Sequence, residues 1–81
     1  MNSVVEDRIA TRVIQLVARG AGLRECDVKM DMTLRDVGCD SLDTIEIVLA
    51  LEDEFDIEIE DDDAAELKTV QQIVECVGRL V

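Results

Sequence analysis

Apolar residues recur every three or four positions in the first and the last part of the chain, which is the spacing of one face of an α-helix. In the first part these residues are Val5, Ile9, Val13, Leu16 and Val17. In the last part they are Val70, Ile73, Val74, Val77 and Val81. Gly20 and Gly22 follow the first series, and glycine is typical of a helix end. The pattern therefore predicts one helix near each end of the chain.

The middle of the chain, from Ser41 to about Phe55, predicts a helix with apolar residues on two opposite sides. One sector of roughly 100° is expected to face the core and contains Thr44, Ile47, Val48, Leu51 and Phe55. The opposite sector contains Leu42, Ile45 and Leu49, with Glu46, Glu52, Asp53 and Asp56 among them. Either the preceding connection covers this second sector, or the sector is an exposed apolar patch rimmed by carboxylates. The clustering favours a docking face for basic partners.

Two further segments join these helices. The long connection from Gly20 to Asp40 has no strong period, and a single helical turn is a candidate at Thr33 to Val37. Its candidates for attachment to the core are Val28, Met30, Met32, Leu34 and Val37. A short helix is expected around Asp62 to Leu67. The sequence therefore predicts an all-α fold, a small four-helix bundle with three main helices, one short third helix and a long first loop.

Length and composition exclude several classes of function. The 81 residues are enough for one small domain, which we expect to span residues 1–81. The chain has no histidine, which excludes nucleophile systems that use a histidine base and most zinc sites. We expect no metal site and no enzymatic activity. Phe55 is the only aromatic residue, so the base-stacking platforms of many nucleic-acid binders are missing.

The net charge of −12 is concentrated in the middle of the chain. Residues 36–66 contain fourteen acidic residues and no basic ones, whereas residues 1–35 contain six basic and five acidic residues. This distribution excludes binding to a phosphate backbone and favours partners with basic surfaces. An unmodified acidic adaptor, or a protein that binds divalent ions through the cluster Glu58 to Asp63, is a further alternative. Neither the window from Asp27 nor the window from Asp53 has the ligand spacing of an EF-hand loop.

The cysteines and the apolar runs indicate the cellular compartment in which the protein is expected. Cys26, Cys39 and Cys76 are an odd number without CxxC spacing, which favours a reducing compartment over a disulfide framework. The longest apolar run, Ile47 to Leu51, is far below the roughly 20 residues of a membrane span. We expect a cytoplasmic protein without membrane insertion. An organelle protein that has lost a transit peptide would have the same composition.

The start of the middle helix carries the candidate chemistry. Asp40 is predicted as the N-cap, Ser41 as the first helical residue and Asp43 as a residue near the third position. Ser41 lacks a histidine or nearby lysine to accept its proton and is therefore no nucleophile of the usual kind. A phosphate-bearing group attached there would meet free backbone N–H groups at the positive helix end. The alternative is a serine that only fills the first turn, where this residue is common.

The residues Asp40-Ser41-Leu42-Asp43-Thr44, followed by Glu46 and by Ala50 to Phe55, resemble the acyl carrier proteins of type II (dissociated) fatty-acid synthesis. The resemblance extends over almost the whole chain. It implies that Ser41 carries 4′-phosphopantetheine, installed from coenzyme A by a phosphopantetheinyl transferase. The protein would be a monomeric carrier that shuttles growing fatty-acyl chains as thioesters among fatty-acid synthesis enzymes with basic docking patches and acyltransferases. A polyketide, aminoacyl or specialised acyl cargo is the alternative.

The resemblance also assigns positions to two sets of residues. The partner-binding set is Asp40, Leu42, Asp43, Ile45, Glu46, Leu49, Glu52 and Asp53. The set expected to line or border an acyl-chain pocket is Leu51, Phe55, Ile59, Leu67 and Val70. The chain departs from the family pattern at Glu60, where a proline commonly precedes the short helix, and at Cys39, where a small residue such as alanine is usual. We expect a looser or more charged loop at Glu60 and a small apolar packing role for Cys39.

Overall fold

The structure is a computed structural model and describes residues 3–81, with side chains described from Asp7 onward. Four α-helices follow one another along the chain: α1 (Ser3–Ala21), α2 (Ser41–Phe55), α3 (Asp61–Glu66) and α4 (Val70–Leu80). The described residues contain no β-strand, only a single antiparallel bridge between Thr33 and Thr69. The all-α prediction of a four-helix bundle is confirmed. The predicted core position of Val5 concerns a side chain outside the described part.

Helix α1 continues through Gly20, which the sequence pattern had placed at its end. A Cβ atom on Gly20 would lie 3.0 Å from Cγ1 of Ile47, so the missing side chain lets α1 and α2 approach closely. The helix terminates at Gly22, whose φ of +73° lies in the left-handed region. The backbone N–H of Leu23 then donates to the carbonyl of Ala18 at 2.8 Å. Of the two glycines, only Gly22 ends the helix.

The core lies where α1 packs against α2 and α4, and most of the predicted apolar stripes face it. Its buried members in these helices are Ile9, Val13, Val17, Ala18, Ile47, Leu51, Val70, Ile73, Val74, Cys76 and Val77. Leu16 is only half-buried, and Val81 is 60% exposed, contrary to the predicted stripe. Val81 is the C-cap of α4, and its N–H still donates to the carbonyl of Val77 at 3.0 Å, so it lies at the end of the helix and not in a different helical phase.

The long connection between α1 and α2 is attached to the start of α4 by backbone hydrogen bonds. The N–H of Leu34 donates to the carbonyl of Lys68 at 2.9 Å, and the N–H of Val70 donates to the carbonyl of Met32 at 3.0 Å. As predicted, its apolar residues reach the core, with Val28, Leu34 and Val37 buried and Met30 and Met32 half-buried. These contacts fix the direction in which the chain enters α2.

Two short elements complete the connections. A 3-10 turn at Glu25–Asp27, which the sequence did not predict, follows α1. The candidate turn at Thr33 to Val37 is present, with the N–H of Val37 donating to the carbonyl of Thr33 at 3.2 Å. Helix α3 begins and ends one residue earlier than expected. Leu67 leaves the helical conformation at its C-terminus, with a φ of −80° and a ψ of 88°, and its side chain is buried.

Candidate functional site

Reciprocal hydrogen bonds between two aspartates close the start of α2. Oδ1 of Asp40 accepts from the backbone N–H of Asp43 at 2.9 Å, and Oδ2 of Asp43 accepts from the N–H of Asp40 at 3.2 Å. The predicted N-cap is therefore confirmed, and it forms a capping box. The hydroxyl of Thr44 donates to the carbonyl of Asp40 at 2.9 Å. Both aspartates are thus held by backbone groups of the same turn.

Ser41 occupies the first helical position, and its side chain is exposed. Within residues 3–81, no group accepts a hydrogen bond from the backbone N–H of Ser41 or Leu42. The Asp40 carboxylate of the capping box accepts from the N–H of Asp43 instead. Free N–H groups and the positive end of the helix dipole favour a negatively charged group at this point. An accessible hydroxyl beside such donors fits the attachment of a phosphodiester that projects away from the protein.

Cys39 lies directly before the capping box and is half-buried against the core. Its backbone N–H donates to the carbonyl of Leu34 at 2.9 Å. Burial raises the pKa of the Cys39 thiol, and the carboxylates of Asp43 and Asp40 raise it further by repelling a thiolate. The thiol therefore stays protonated near neutral pH and packs as a small apolar group, as expected.

The second apolar sector of α2 is exposed. Leu42, Ile45 and Leu49 are 63%, 56% and 58% exposed, so the alternative in which the long connection covers them is wrong. Together with the neighbouring carboxylates they form a surface that we call the α2 outer face, made of Asp40, Leu42, Asp43, Ile45, Glu46, Leu49, Glu52 and Asp53. Asp43 and Glu52 are half-buried members, and the others are exposed. The binding of partners to this face stays a prediction.

Glu52 has a structural contact that the sequence pattern did not indicate. Its Oε2 accepts from the backbone N–H of Ile59 at 2.9 Å, across seven residues, in a partly buried position. No periodicity or capping signal connects two residues at this distance in the chain, since helix caps join residues within one turn. A residue expected only at a partner surface thus also holds the segment between α2 and α3.

The five residues expected at an acyl-chain pocket belong to the apolar core. Leu51, Ile59, Leu67 and Val70 are buried in the core, and Phe55 is partly buried against it. Two surface grooves approach this set: one beside α4 contains Leu67, and one beside α1 contains Phe55. Leu51, Ile59 and Val70 line neither groove, so the structure brings the set together in the core without showing a pocket. The pocket stays a prediction.

Residues 3–81 include no group of three histidine, cysteine, aspartate or glutamate side chains arranged to hold a metal ion. The three cysteines are free thiols: Cys26 is exposed, Cys39 half-buried and Cys76 buried. In the part of the chain that the structure describes, no helix has the length and apolar character needed to span a membrane.

Comparison with known proteins identifies the class of this site. The model of the phosphopantetheine attachment-site family matches residues 11–77. Acyl carrier protein 2 of Pseudomonas aeruginosa is 49% identical over 76 residues, which cover 93% of this chain and 96% of that protein. The crystal structure of an acyl carrier protein from Thermotoga maritima has a TM-score of 0.82 and covers 98% of this chain and 93% of its own. At 23% identity, this last similarity concerns the fold.

The chain belongs to the phosphopantetheine attachment-site family and, within it, to the type II acyl carrier proteins. Members of this class bear a covalently attached 4′-phosphopantetheine and are carriers, not catalysts. They interact with phosphopantetheinyl transferase and with fatty-acid synthesis enzymes.

Proposed function

We propose that Ser41 carries the 4′-phosphopantetheine and that the whole chain acts as one domain that shuttles growing fatty-acyl chains between fatty-acid synthesis enzymes. The observation that supports this most directly is the exposed Ser41 hydroxyl at the first position of α2, beside the Asp40–Asp43 capping box. Of the two hydroxyl-bearing residues in this turn, Thr44 already donates to a backbone carbonyl. Ser41 is the accessible one.

The capping box suits this role in two ways. Because Asp40 and Asp43 bind backbone donors, their carboxylates are fixed on either side of Ser41 and repel a phosphodiester away from the protein. The free N–H groups and the helix dipole offset part of that repulsion close to the attachment point. The balance favours an arm that leaves the surface and stays mobile.

The attachment reaction needs a base that this chain does not supply. When the Ser41 oxygen attacks the pantetheine-side phosphorus of coenzyme A, the pyrophosphate P–O bond breaks, adenosine 3′,5′-bisphosphate leaves, and the Ser41 hydroxyl loses its proton, for which the chain has no histidine acceptor. The nearest carboxylates are held in the capping box. The base therefore comes from the phosphopantetheinyl transferase, which agrees with a carrier that is modified by a separate enzyme.

The α2 outer face supports a carrier that visits several enzymes in turn. Its apolar residues provide contact area, and its carboxylates attract basic docking patches from a distance. Electrostatic steering of this kind raises the rate of association with a partner enzyme and does not require slow dissociation from it. We therefore propose fatty-acid synthesis enzymes and acyltransferases as partners of a monomer, in the cytoplasm, with cargo sheltered near Leu51 and Phe55. A polyketide, aminoacyl or specialised acyl cargo is the alternative.

The attachment is tested by intact mass after co-expression with a phosphopantetheinyl transferase. The wild-type protein should give a species heavier by one phosphopantetheine group, and Ser41→Ala should give only the unmodified mass. Thr44→Val is the matched control, because it removes the other hydroxyl of the same turn and should still be modified. Modification of the Ser41→Ala variant would show that the assignment is wrong. Loading with fatty-acyl, polyketide or aminoacyl substrates then separates the cargo classes.

A further inference from the structure

Three backbone N–H groups that follow α2 converge on Glu52. Asp56 has a φ of +53° and ends the helix, and its N–H donates to the Glu52 carbonyl. The N–H of Ile57 donates to the same carbonyl at 3.2 Å, and the N–H of Ile59 donates to the Glu52 carboxylate at 2.9 Å. The first two bonds form a common helix-ending motif, whereas the third depends on the side chain. Glu52 thus accepts hydrogen bonds from three residues of the segment 56–60, whose far end is held by the Ala64 N–H on the Glu60 carbonyl.

The third bond places an apolar side chain over the core. Ile59 is only 6% exposed and is one of the residues expected at the acyl-chain pocket. Its neighbours Glu58 and Glu60 are both exposed and Ile57 is only partly buried, so Ile59 is the fully buried residue of this segment. Loss of the Glu52 carboxylate would leave the Ile59 N–H without its acceptor and would weaken the position of this side chain.

Glu52 also belongs to the α2 outer face, beside the exposed residues Leu49 and Asp53. The residue is half-buried, and its hydrogen bond to Ile59 is only partly buried, so the side chain is in contact with solvent. A guanidinium group binds a carboxylate best through both oxygens, and one of these oxygens already accepts from Ile59. Each carboxylate oxygen can accept two hydrogen bonds, so the competition is one of geometry: a guanidinium that approaches from solvent and binds both oxygens would turn the carboxylate away from the Ile59 N–H.

We propose that Glu52 is a positioning residue that couples the α2 outer face to the segment 56–60. This inference rests on the proposed function, in which basic partners dock on that face. With no cation bound, the carboxylate holds the segment and keeps Ile59 in the core. When a basic group pairs with Glu52, the Ile59 N–H loses its acceptor, and the segment covering the predicted acyl-chain pocket loosens.

The first test measures amide hydrogen exchange by NMR in the free protein. Glu52→Ala should speed exchange of the Ile59 amide about tenfold, the effect of one hydrogen bond to a charged group in a partly exposed segment. The Ile57 amide should keep its rate, because its acceptor is the backbone carbonyl of residue 52. Glu52→Gln should retain most of the Ile59 protection, since its amide oxygen still accepts. Asp53→Ala, a neighbouring exposed acid, is the matched control and should change neither rate.

The second test measures the coupling with a hexa-arginine peptide added at constant ionic strength. Exchange of the Ile59 amide should become several-fold faster in the wild-type protein, with Ile57 unchanged. In Glu52→Gln the peptide should have no effect on Ile59, because a neutral amide does not attract a guanidinium group. The proposal is overturned if Ile59 and Ile57 respond equally to Glu52→Ala. It is also overturned if the peptide fails to bind the α2 outer face, or binds there and leaves the Ile59 rate unchanged.

Neither measurement involves Ser41 or an attached group. A failure of modification at Ser41 would therefore overturn the proposed function, while the exchange rates would still judge the role of Glu52 on their own.

Discussion

Glu60 occupies a backbone position that suits proline, and Glu60→Pro should stabilise the protein. Its φ of −70° lies within the range that the proline ring imposes. The Glu60 N–H donates no hydrogen bond to a group in residues 3–81, and its carbonyl, which accepts from Ala64 at 2.9 Å, is unaffected by the change. Proline also disfavours a helical conformation at the preceding residue, and Ile59 lies outside the helices. The folded backbone at Glu60 thus already has a conformation that proline could adopt. The absence of proline therefore mainly increases the number of conformations of the unfolded chain.

The gain comes from the unfolded state, in which proline leaves fewer conformations to lose on folding. At a compatible position this stabilises a protein by about 0.4–1 kcal/mol. For a domain of this size, 1 kcal/mol corresponds to about 4–8 °C in Tm, so Glu60→Pro should raise Tm by about 2–8 °C. The side chain of Glu60 forms no capping hydrogen bond with α3, so its removal costs no such contact.

Thermal unfolding followed by circular dichroism, together with urea denaturation, measures this effect. Glu60→Ala is the matched control, since it removes the same charge from the acidic run Glu58 to Asp63 without adding the ring. The proline effect is the difference between the two variants, measured at low and at moderate salt. A Tm of Glu60→Pro at or below that of Glu60→Ala would refute the reasoning, because it would mean that the ring strains the entry to α3.

Two further predictions concern the surface around Ser41. Glu46→Lys should slow association with a basic fatty-acid synthesis enzyme and weaken the salt dependence of the association rate, measured by stopped-flow mixing. The control Asp7→Lys on α1 should have a much smaller effect. Equal effects of the two variants would contradict a defined docking face. The raised pKa of the Cys39 thiol keeps this thiol protonated to higher pH. Iodoacetamide should therefore alkylate Cys39 more slowly than the exposed Cys26 at pH 8, and the difference between the two alkylation rates should shrink as pH rises. Asp43→Asn should speed the Cys39 reaction by removing a repelling charge, and an unchanged rate would contradict this cause.

Much of the fold could be predicted because its signals are local. The spacing of apolar residues predicted the three long helices, and Asp40 was recognised as the cap of α2 because a cap and its acceptor groups lie within one turn. The same periodicity placed Leu42, Ile45 and Leu49 opposite the core-facing stripe, whereas only the structure shows that the long connection leaves them exposed. The candidate attachment site is likewise local: its capping box and hydroxyl lie within four consecutive residues.

Other features depended on contacts between residues that are distant in the chain. Gly20 looks like a helix end in the sequence, and only the approach of Ile47 shows why a glycine continues the helix there. The attachment of the long connection to α4, through Leu34 and Lys68, has no signature in either segment alone.

The clearest contrast is Glu52. Sequence alone placed its carboxylate on a surface, because the angle of a residue around a helix follows from its position in the chain. The bond from Ile59 arises only once the chain has turned at Asp56 and returned over the core. Periodicity and capping thus determined which residues form helices and where Ser41 lies. Only the tertiary structure decided that the Glu52 carboxylate holds the backbone of the segment after α2, since that depends on the path of the chain between helices.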